Sequence, residues 1–435
     1  MSKDSPLNII ILGGGIAGLT TALALTKYAP ASRPLPQITL YEIRPEPATI
    51  GGAVNLTPNA LRLLSHLGAL QEIRANNYGK ECGAVEVFDL YSGSKLAESS
   101  FRGPDGKGLG NPPFTALRIT RGESLKGVLA AIAKHPNIKL ICGKKTTEIH
   151  EDAHGVTLTF EDGATASADM LVGCDGIHST TRLTHVDPDR KPVYSGICNA
   201  FGFAPRRRDP SGAYEKTHFE TSGMNFGRRG ILLTSFHDAS QDSIYVGALM
   251  QVPEIASRDG WKARGADAEK TRQDILERYA GAANPLIEHL IQDAQDLFLW
   301  PVFTLSKHGR WATDRTMLIG DSAHAMPPQG ESTGIVFEDG VLFARCVGRW
   351  MERGGGDADA GAPPVKEAFD AYERLRRARI ETAWEESQSV VKTVNDAGWL
   401  GHRIKLAVVP WYLWWTRGYR EGHFVEDVTA CELGY

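Results

Sequence analysis

Leu7-Asn-Ile-Ile-Ile-Leu12-Gly13-Gly-Gly15-Ile16-Ala17-Gly18 is the stretch that decides the fold. Its short, β-branched apolar run stops at glycine, which predicts a strand buried on both faces. Gly13-x-Gly15-x-x-Gly18 follows at once and opens a helix predicted to reach about Tyr28. Each glycine has a steric reason: Gly13 permits the tight turn, Gly15 lets backbone approach a pyrophosphate, and Gly18 lets the helix pack on its strand. The positive end of that helix then faces the phosphates. Gln37 to Glu42 predicts a second strand ending in an acid, and Glu42, 24 residues beyond Gly18, is placed to accept ribose hydroxyls. This is a dinucleotide site; motif and acid alone do not separate NAD from FAD.

Working outward, Thr57-Pro58 starts a helix, with Leu61, Leu64, Leu67 and Leu70 as its stripe. Val156-Thr-Leu-Thr-Phe160 alternates like a half-buried strand, Glu161-Asp162-Gly163 is turn chemistry, and Asp169 to Gly173 is another buried strand. The stretch from about 190 to 305 reads as a separate sheet of strands and polar loops. Thr316 to Gly320 returns to a buried strand, followed by a Pro/Gly loop and a helix from about Ser332 to Met351. After the breaker-rich Gly354 to Pro364, Val365, Phe369, Tyr372, Leu375, Ile380 and Trp384 mark a long amphipathic helix. The apolar patch Leu406 to Trp415 predicts a packed C-terminal helix, with membrane-surface contact or a wall of the site as the other readings.

Composition narrows the function classes. Of 435 residues, 42% are hydrophobic and 23% charged, which excludes wholesale disorder or a fibre. Lys plus Arg number 48 against 52 Asp plus Glu, so there is no general basic footprint for nucleic acid, and Arg206, Arg207 and Arg208 read as a solvated loop. No apolar stretch approaches the ~20 residues a bilayer span needs. The apolar run Leu7 to Leu12 reads as too short for a secretion signal, so none is expected, and six scattered cysteines suggest reduced thiols without a metal site. A cytoplasmic, soluble protein is the expectation, with its oligomeric state open.

Two further segments choose between the cofactors. Gly173-Cys-Asp175-Gly176-Ile-His-Ser179-x-x-Arg182 follows one buried strand; Gly320-Asp321-Ser-Ala-His324-Ala-Met-Pro327-Pro328-Gln-Gly330 follows another. Each puts an Asp at a strand's carboxyl end, where α/β sheets bind ligands. With the glycine motif, in this order and about 150 residues apart, they resemble the three fingerprints of the para-hydroxybenzoate hydroxylase-like (group A) FAD-dependent monooxygenases. The likeness runs from Leu7 to about Trp350, and the intervening sheet and C-terminal tail match in layout only.

The resemblance implies an α/β fold: a Rossmann-like FAD-binding domain, discontinuous in sequence, with a β-sheet substrate domain and a C-terminal helical segment. The FAD domain would take 1–80, 116–185 and 306–352, the substrate domain 81–115 and 186–305, a linker 353–364, and the helical region 365–435. Glu42 with Ile43 and Arg44 would bind the adenosine ribose, Asp175-Gly176 would lie near the cofactor and contribute to NAD(P)H use, and Gly320-Asp321 would hold the ribityl chain. Arg121 looks like the family's cofactor-facing arginine, with Arg118 as a competing assignment because the spacing to Leu125 is one residue longer than usual. Gly51-Gly52-Ala53-Val54 resembles the loop beside the flavin ring. Pro328 and Gly330 would lead into a helix whose N-terminus, at Ser332-Thr333-Gly334, faces the ring edge that becomes anionic on reduction.

The implied reaction is NAD(P)H- and O2-dependent insertion of one oxygen, as hydroxylation or epoxidation through a flavin C4a-hydroperoxide. The nicotinamide would dock transiently, since there is no second glycine motif. Many phenol-hydroxylating members carry an arginine where this chain has Phe201-Gly202, and Glu331 adds an acid beside the flavin loop. The expected substrate is therefore an aromatic, polycyclic or indole-like small molecule, possible in secondary metabolism. Baeyer–Villiger insertion and flavin oxidase, reductase or halogenase chemistry stay as alternatives, and a non-catalytic flavin sensor is the alternative from another class. His237 is the one candidate catalytic residue; His324 reads as a capping or loop histidine, Asp339 as structural and Cys174 as a small buried residue.

Overall fold

The strand Asn8–Leu12 is the middle of a five-stranded parallel sheet in the computed structural model, which describes residues 5–49, 51–328, 330, 332–356 and 362–434. Across the sheet the order is Thr316–Leu318, Met170–Gly173, Asn8–Leu12, Gln37–Tyr41, Ile138–Ile141. Leu12 stands opposite both Gly173 and Tyr41, and Gly173 opposite Leu318. The chain therefore leaves four adjacent strands at one edge, and Gly13, Glu42, Asp175 and Gly320 all sit there.

The run is apolar throughout because both faces are covered. Ile9 and Ile11 pack under the helices Ile16–Lys27 and Ser332–Glu352. Ile10 and Leu12 pack under a three-stranded antiparallel sheet through Val156, Leu158 and Phe160. The two helices approach closely: a Cβ on Gly340 would meet Thr21 Oγ1 at 2.9 Å, and one on Gly348 the carbonyl oxygen of Tyr28 at 2.3 Å. The leucine stripe is interrupted once, where Gly68 at φ 80° separates the helix Pro58–His66 from Ala69–Ala75.

A seven-stranded sheet forms the second layer, in the order Gln295–Thr304, Val193–Pro205, Ser243–Gln251, Gly230–Ser235, Ser222–Gly227, Ala84–Asp89, Lys95–Ser100. One face, with Cys198, Ala200, Leu232, Ala248 and Met250, packs on the helices Arg258–Ala266, Ala268–Arg278 and Pro285–Asp293. These three helices correct the expectation of strands and loops throughout 190–305. Their few buried residues, Trp261, Gly265, Thr271, Ile275 and Arg278 in the first two, include only two large apolar side chains and leave a weak apolar period. The other face presents Phe201, Phe203, Leu233 and Tyr245 toward the short strand Ala53–Leu56.

The C-terminal region is helical, as expected, but its second helix is not packed in the manner expected. Lys366–Val394 lies on Ser332–Glu352, whereas Trp399–Trp415 is seated along one side, through His402, whose Nε2 is 3.1 Å from Asp89 Oδ1, and Leu406, Val409 and Leu413. Trp411, Trp414 and Trp415 are 56%, 70% and 67% exposed. Among the described residues no helix is long and apolar enough to cross a membrane.

Glu151 ties the outer three-stranded sheet to the turn before Thr316–Leu318. Its carboxylate accepts from Thr313 Oγ1 (2.6 Å), Thr316 Oγ1 (2.7 Å) and the amides of Asp314 and Arg315 (both 3.1 Å), and lies 3.0 Å from His185 Nε2. Burial pushes its pKa up, but these hydrogen bonds outweigh that and bring it down to about 2. A depressed folded value stabilises the protein above the unfolded pKa of 4.5 and is lost as pH falls toward 2. Glu151→Gln is expected to cost about 1–3 kcal/mol at neutral pH. In denaturant titrations the gap from the parent should close as the pH drops through that window.

Candidate active site

The three motifs touch one another. Gly13 has φ 111°, and a Cβ there would lie 2.3 Å from the carbonyl oxygen of Cys174; a Cβ on Gly18 would lie 2.0 Å from the carbonyl oxygen of Gly13. Gly320, at φ 68°, would place a Cβ 3.4 Å from the Ala17 Cβ. Arg182, fully buried, bridges the second and third motifs, with Nη2 donating to Ile177 O (2.6 Å) and Nη1 to Ser322 O (2.8 Å). Ser322 Oγ in turn donates to Gly173 O (2.6 Å).

Gly15 differs from its neighbours: nothing lies within 4 Å of a Cβ built there. Glu42 is buried and receives the Gly14 amide on Oε2 (2.8 Å) and the Arg44 amide on Oε1 (2.9 Å), while Ile43 is exposed and Arg44 Nη1 donates to Ala48 O (2.6 Å). Asp175 Oδ2 accepts from the Thr181 amide (2.9 Å) and hydroxyl (3.0 Å), but its buried Oδ1 has no hydrogen-bond partner among the described residues. Burial raises the Asp175 pKa. Gly176 follows at φ 76°. Asp321, exposed, opens the short helix Asp321–His324.

Between the two sheets, Gly51-Gly52-Ala53-Val54 passes close to two side chains. A Cβ on Gly51 would meet Arg121 Cδ at 2.7 Å, and one on Gly52 would meet Tyr245 Cε2 at 2.1 Å. Arg121 is exposed at the start of the helix Arg121–Ile132, behind a Thr120/Glu123 capping box. Arg118 is buried on the strand Ala116–Thr120 and turns to the other sheet. Its Nε donates to Ser235 Oγ (2.9 Å) and its guanidinium stands 5.0 Å from the Tyr245 ring centre. No carboxylate pairs with it among the described residues, Nη2 has no hydrogen-bond partner, and burial lowers its pKa. His237 is edge-on to Phe203 at 4.9 Å, with Asp238 3.4 Å from Nδ1. Neither of its ring nitrogens is hydrogen-bonded, and burial lowers its pKa.

Pro328 and Gly330 (φ 89°) lead to the helix Ser332–Glu352, and Thr333 and Gly334 lie in its first turn; a Cβ on Gly334 would meet Asn59 Nδ2 at 2.9 Å. Gln329 and Glu331 lie outside the described residues. His324 is not a loop histidine: it is 4% exposed and 2.7 Å from Asp339 Oδ2. Asp339 Oδ1 accepts from Arg376 Nε (2.6 Å), Arg376 Nη1 lies 2.8 Å from Glu338 Oε2, and Glu338 Oε1 accepts from Asn59 Nδ2 (2.7 Å). Neither this network nor Tyr245 was foreseen. Arg376 did carry a signal, as a charge at the i, i+4 step between Tyr372 and Ile380 on the apolar stripe.

These residues fit FAD. The turn is closed by backbone at Gly13 and Gly18 yet open at Gly15, where a pyrophosphate needs room. A buried acceptor, Oδ1, is left over on the half-buried Asp175.

Comparison with known proteins agrees. The family described as FAD binding domain matches residues 7–334. The 3-amino-4-hydroxybenzoate 2-monooxygenase of Streptomyces platensis is 29% identical over 394 residues, covering 89% of this chain and 88% of the relative. The salicylate hydroxylase of Pseudomonas putida is 27% identical over 402 residues, covering 88% and 86%. A solved salicylate hydroxylase substrate complex superimposes with a TM-score of 0.71 at 22% identity, covering 97% of each chain. HpxO of Klebsiella pneumoniae, complexed with FAD and uric acid, does so at 0.71 and 21%, covering 98% of each. With three converging motifs and a match across residues 7–334 of 435, the chain belongs to the FAD binding domain family, among the para-hydroxybenzoate hydroxylase-like (group A) monooxygenases.

Proposed function

We propose that the protein uses NAD(P)H and O2 to hydroxylate an aromatic small molecule held between the loop Gly51–Val54 and the sheet face bearing Phe201, Phe203 and Tyr245. The observation that carries the reading is the convergence of Gly13–Gly18, Asp175 and Gly320-Asp321 at the carboxyl edge of one parallel sheet. Bound FAD supplies hydride acceptance and oxygen activation. The chain supplies the rest. Glu42 holds the adenosine ribose, the amides around Gly15 meet the pyrophosphate, and Asp175 and Asp321 receive cofactor hydroxyls or amides. Arg121, beside Gly51, would help hold the cofactor, and the unpaired N–H groups in the first turn of Ser332–Glu352 would stabilise negative charge on its ring. Apolar aromatic walls exclude water from the reacting edge.

The arginine missing at Phe201 has a replacement from the strand Ala116–Thr120, which belongs to a different sheet. Arg118 sits on the substrate side with a spare N–H and no carboxylate, so it suits a phenolate or carboxylate on the substrate. This removes the reason to turn from phenols toward polycyclic or indole-like substrates, and it fits the small hydroxylated benzoates named for the relatives. Hydrogen bonds to charged groups contribute ~1.5–3 kcal/mol, so Arg118→Gln should raise KM for such a substrate about ten- to hundredfold. Flavin content should not change. Substrate-stimulated NAD(P)H oxidation with oxygen uptake, run over hydroxybenzoates and neutral aromatics, checks this; no stimulation by any aromatic would end the functional reading, and an unchanged KM would end the assignment of Arg118.

A further inference from the structure

The outer face of the helix Trp399–Trp415 has no role in the site described above. Leu400, Ile404, Val408, Trp411 and Trp415 recur at steps of three and four, so they share one side of the helix. All five are 48–67% exposed, and Trp414 beside them is 70% exposed. The opposite side is the one seated on the protein, through Leu406, Val409 and Leu413. A helix apolar all round requires an apolar environment on both sides, and the protein provides only one.

We propose that this face docks on an anionic lipid bilayer, with the helix lying in the plane of the interface. The side chains suit a headgroup region more than a protein core. Trp399, Trp411, Trp414, Trp415 and Tyr412 combine large apolar rings with a polar edge that can stay hydrated. Trp411 and Trp415 stack, with ring centres 5.5 Å apart, into one flat platform.

The charge around the helix points the same way. Between Asp396 and Glu421 there are four cations, Arg403, Lys405, Arg417 and Arg420, and no acid, in a chain whose net charge is −4. Lys405 is turned inward, donating to Thr393 O (2.6 Å), and Arg420 donates to Leu413 O (2.7 Å) and Ser99 Oγ (2.8 Å). Arg417 is paired with Glu421 (2.7 Å), so the cation presented to solvent is Arg403, exposed at the other end and without an ion pair among the described residues. A second copy of the chain fits poorly. Parallel two-fold pairing would set Arg403 against Arg403 with no acid in the helix to offset it, and antiparallel pairing would bring Arg403 to an Arg417 already paired with Glu421. Spanning is excluded by geometry: 17 residues rise only about 26 Å, with Pro410 inside and the inner seam already committed to the protein.

Position adds a reason for such a surface. Leu233 packs both on the residues beneath this helix and on the cluster of Ala53, Phe201 and Tyr245. The helix thus covers the same sheet face that meets the flavin loop, and docking would bring that face to the lipid.

The test uses the full flavin-loaded chain, sedimented with vesicles of phosphatidylcholine alone or mixed with phosphatidylglycerol. The parent should partition onto the anionic vesicles at least tenfold more than onto neutral ones, with a blue shift of tryptophan emission. Trp411→Ser/Trp415→Ser should lose binding, and Arg403→Glu should weaken it about tenfold, since each basic residue near an anionic surface contributes a few-fold. Both variants must keep the parent's circular dichroism and flavin absorbance, and Leu400→Ser/Ile404→Ser serves as a second apolar pair if the tryptophan variant misfolds. A monomer that ignores both vesicle types, equal binding to neutral vesicles, or a dimer that the tryptophan variant converts to monomer would each overturn the proposal.

Discussion

Gly13→Val is expected to yield protein without bound flavin and with a large loss of stability, whereas Gly15→Val should lose the flavin and keep the fold. The two glycines are two residues apart in one turn, yet their surroundings are opposite. At Gly13 the backbone has φ 111°, and a side chain would drive into the carbonyl of Cys174, 2.3 Å from its oxygen and 2.7 Å from its carbon. Neither partner can give way. The Cys174 amide N–H donates to Leu12 O (2.7 Å), and that of Gly13 to Tyr41 O (2.8 Å). Backbone strain and overlap together cost roughly 3 kcal/mol or more. At Gly15 the space is clear and φ is −79°, so valine costs the empty protein little. Its methyls would fill the volume that the pyrophosphate needs. Visible flavin absorbance after purification, with thermal unfolding of the same samples, separates the two effects. A Gly15→Val protein with full flavin content would remove the first motif from the site.

That contrast marks where sequence reasoning was strong. The turn, the strands before Gly13, Asp175 and Gly320, and the acid at Glu42 are local patterns, each readable from about a dozen neighbouring residues because strand period, glycine placement and strand-end acids are local consequences of packing. Their meeting was legible only through the order of the motifs. The substrate side was not legible in this way. Arg118 meets Ser235 across 117 positions, Tyr245 meets Gly52 across almost two hundred, and nothing in either neighbourhood announces the other. The helices between 258 and 293 failed for a different reason. Their start signals were present, as Ser257, Asp267 and Asn284-Pro285 each cap a helix. The apolar stripe behind the first two was too thin to register, because those helices touch the sheet along one narrow line. The exposed tryptophan helix inverts the usual inference, since its composition indicates burial that the protein itself does not provide.

The buried charges behind the flavin loop carry the second large expectation. Arg376→Met should destabilise the protein by about 3–5 kcal/mol, because it leaves two carboxylates in the core without their cation. Arg376, Asp339 and Glu338 are 2%, 0% and 1% exposed, and Arg376 also donates to Ile335 O (2.8 Å) in the helix that begins at Ser332. The network thus fixes that helix against Lys366–Val394, and through Glu338 and Asn59 against the helix after Thr57. Losing it should lower flavin retention as well as stability. The pH dependence distinguishes electrostatics from simple loss of packing. In the parent, burial alone would raise the Asp339 pKa, but His324 and Arg376 hold it below its ordinary value. That contribution is present above the unfolded carboxylate range and is lost only in strong acid. Without Arg376 the sign reverses for the stranded carboxylates, whose folded pKa values rise above the unfolded ones, so the variant gains stability relative to the parent as it takes up protons. Its deficit should narrow steadily in denaturant titrations between about pH 8 and about pH 5. A deficit constant across that range would mean that Arg376 acts by filling space. Asp339→Asn, which leaves Arg376 paired with Glu338, should cost less than Arg376→Met at neutral pH, and the reverse ranking would show that the His324 contact dominates.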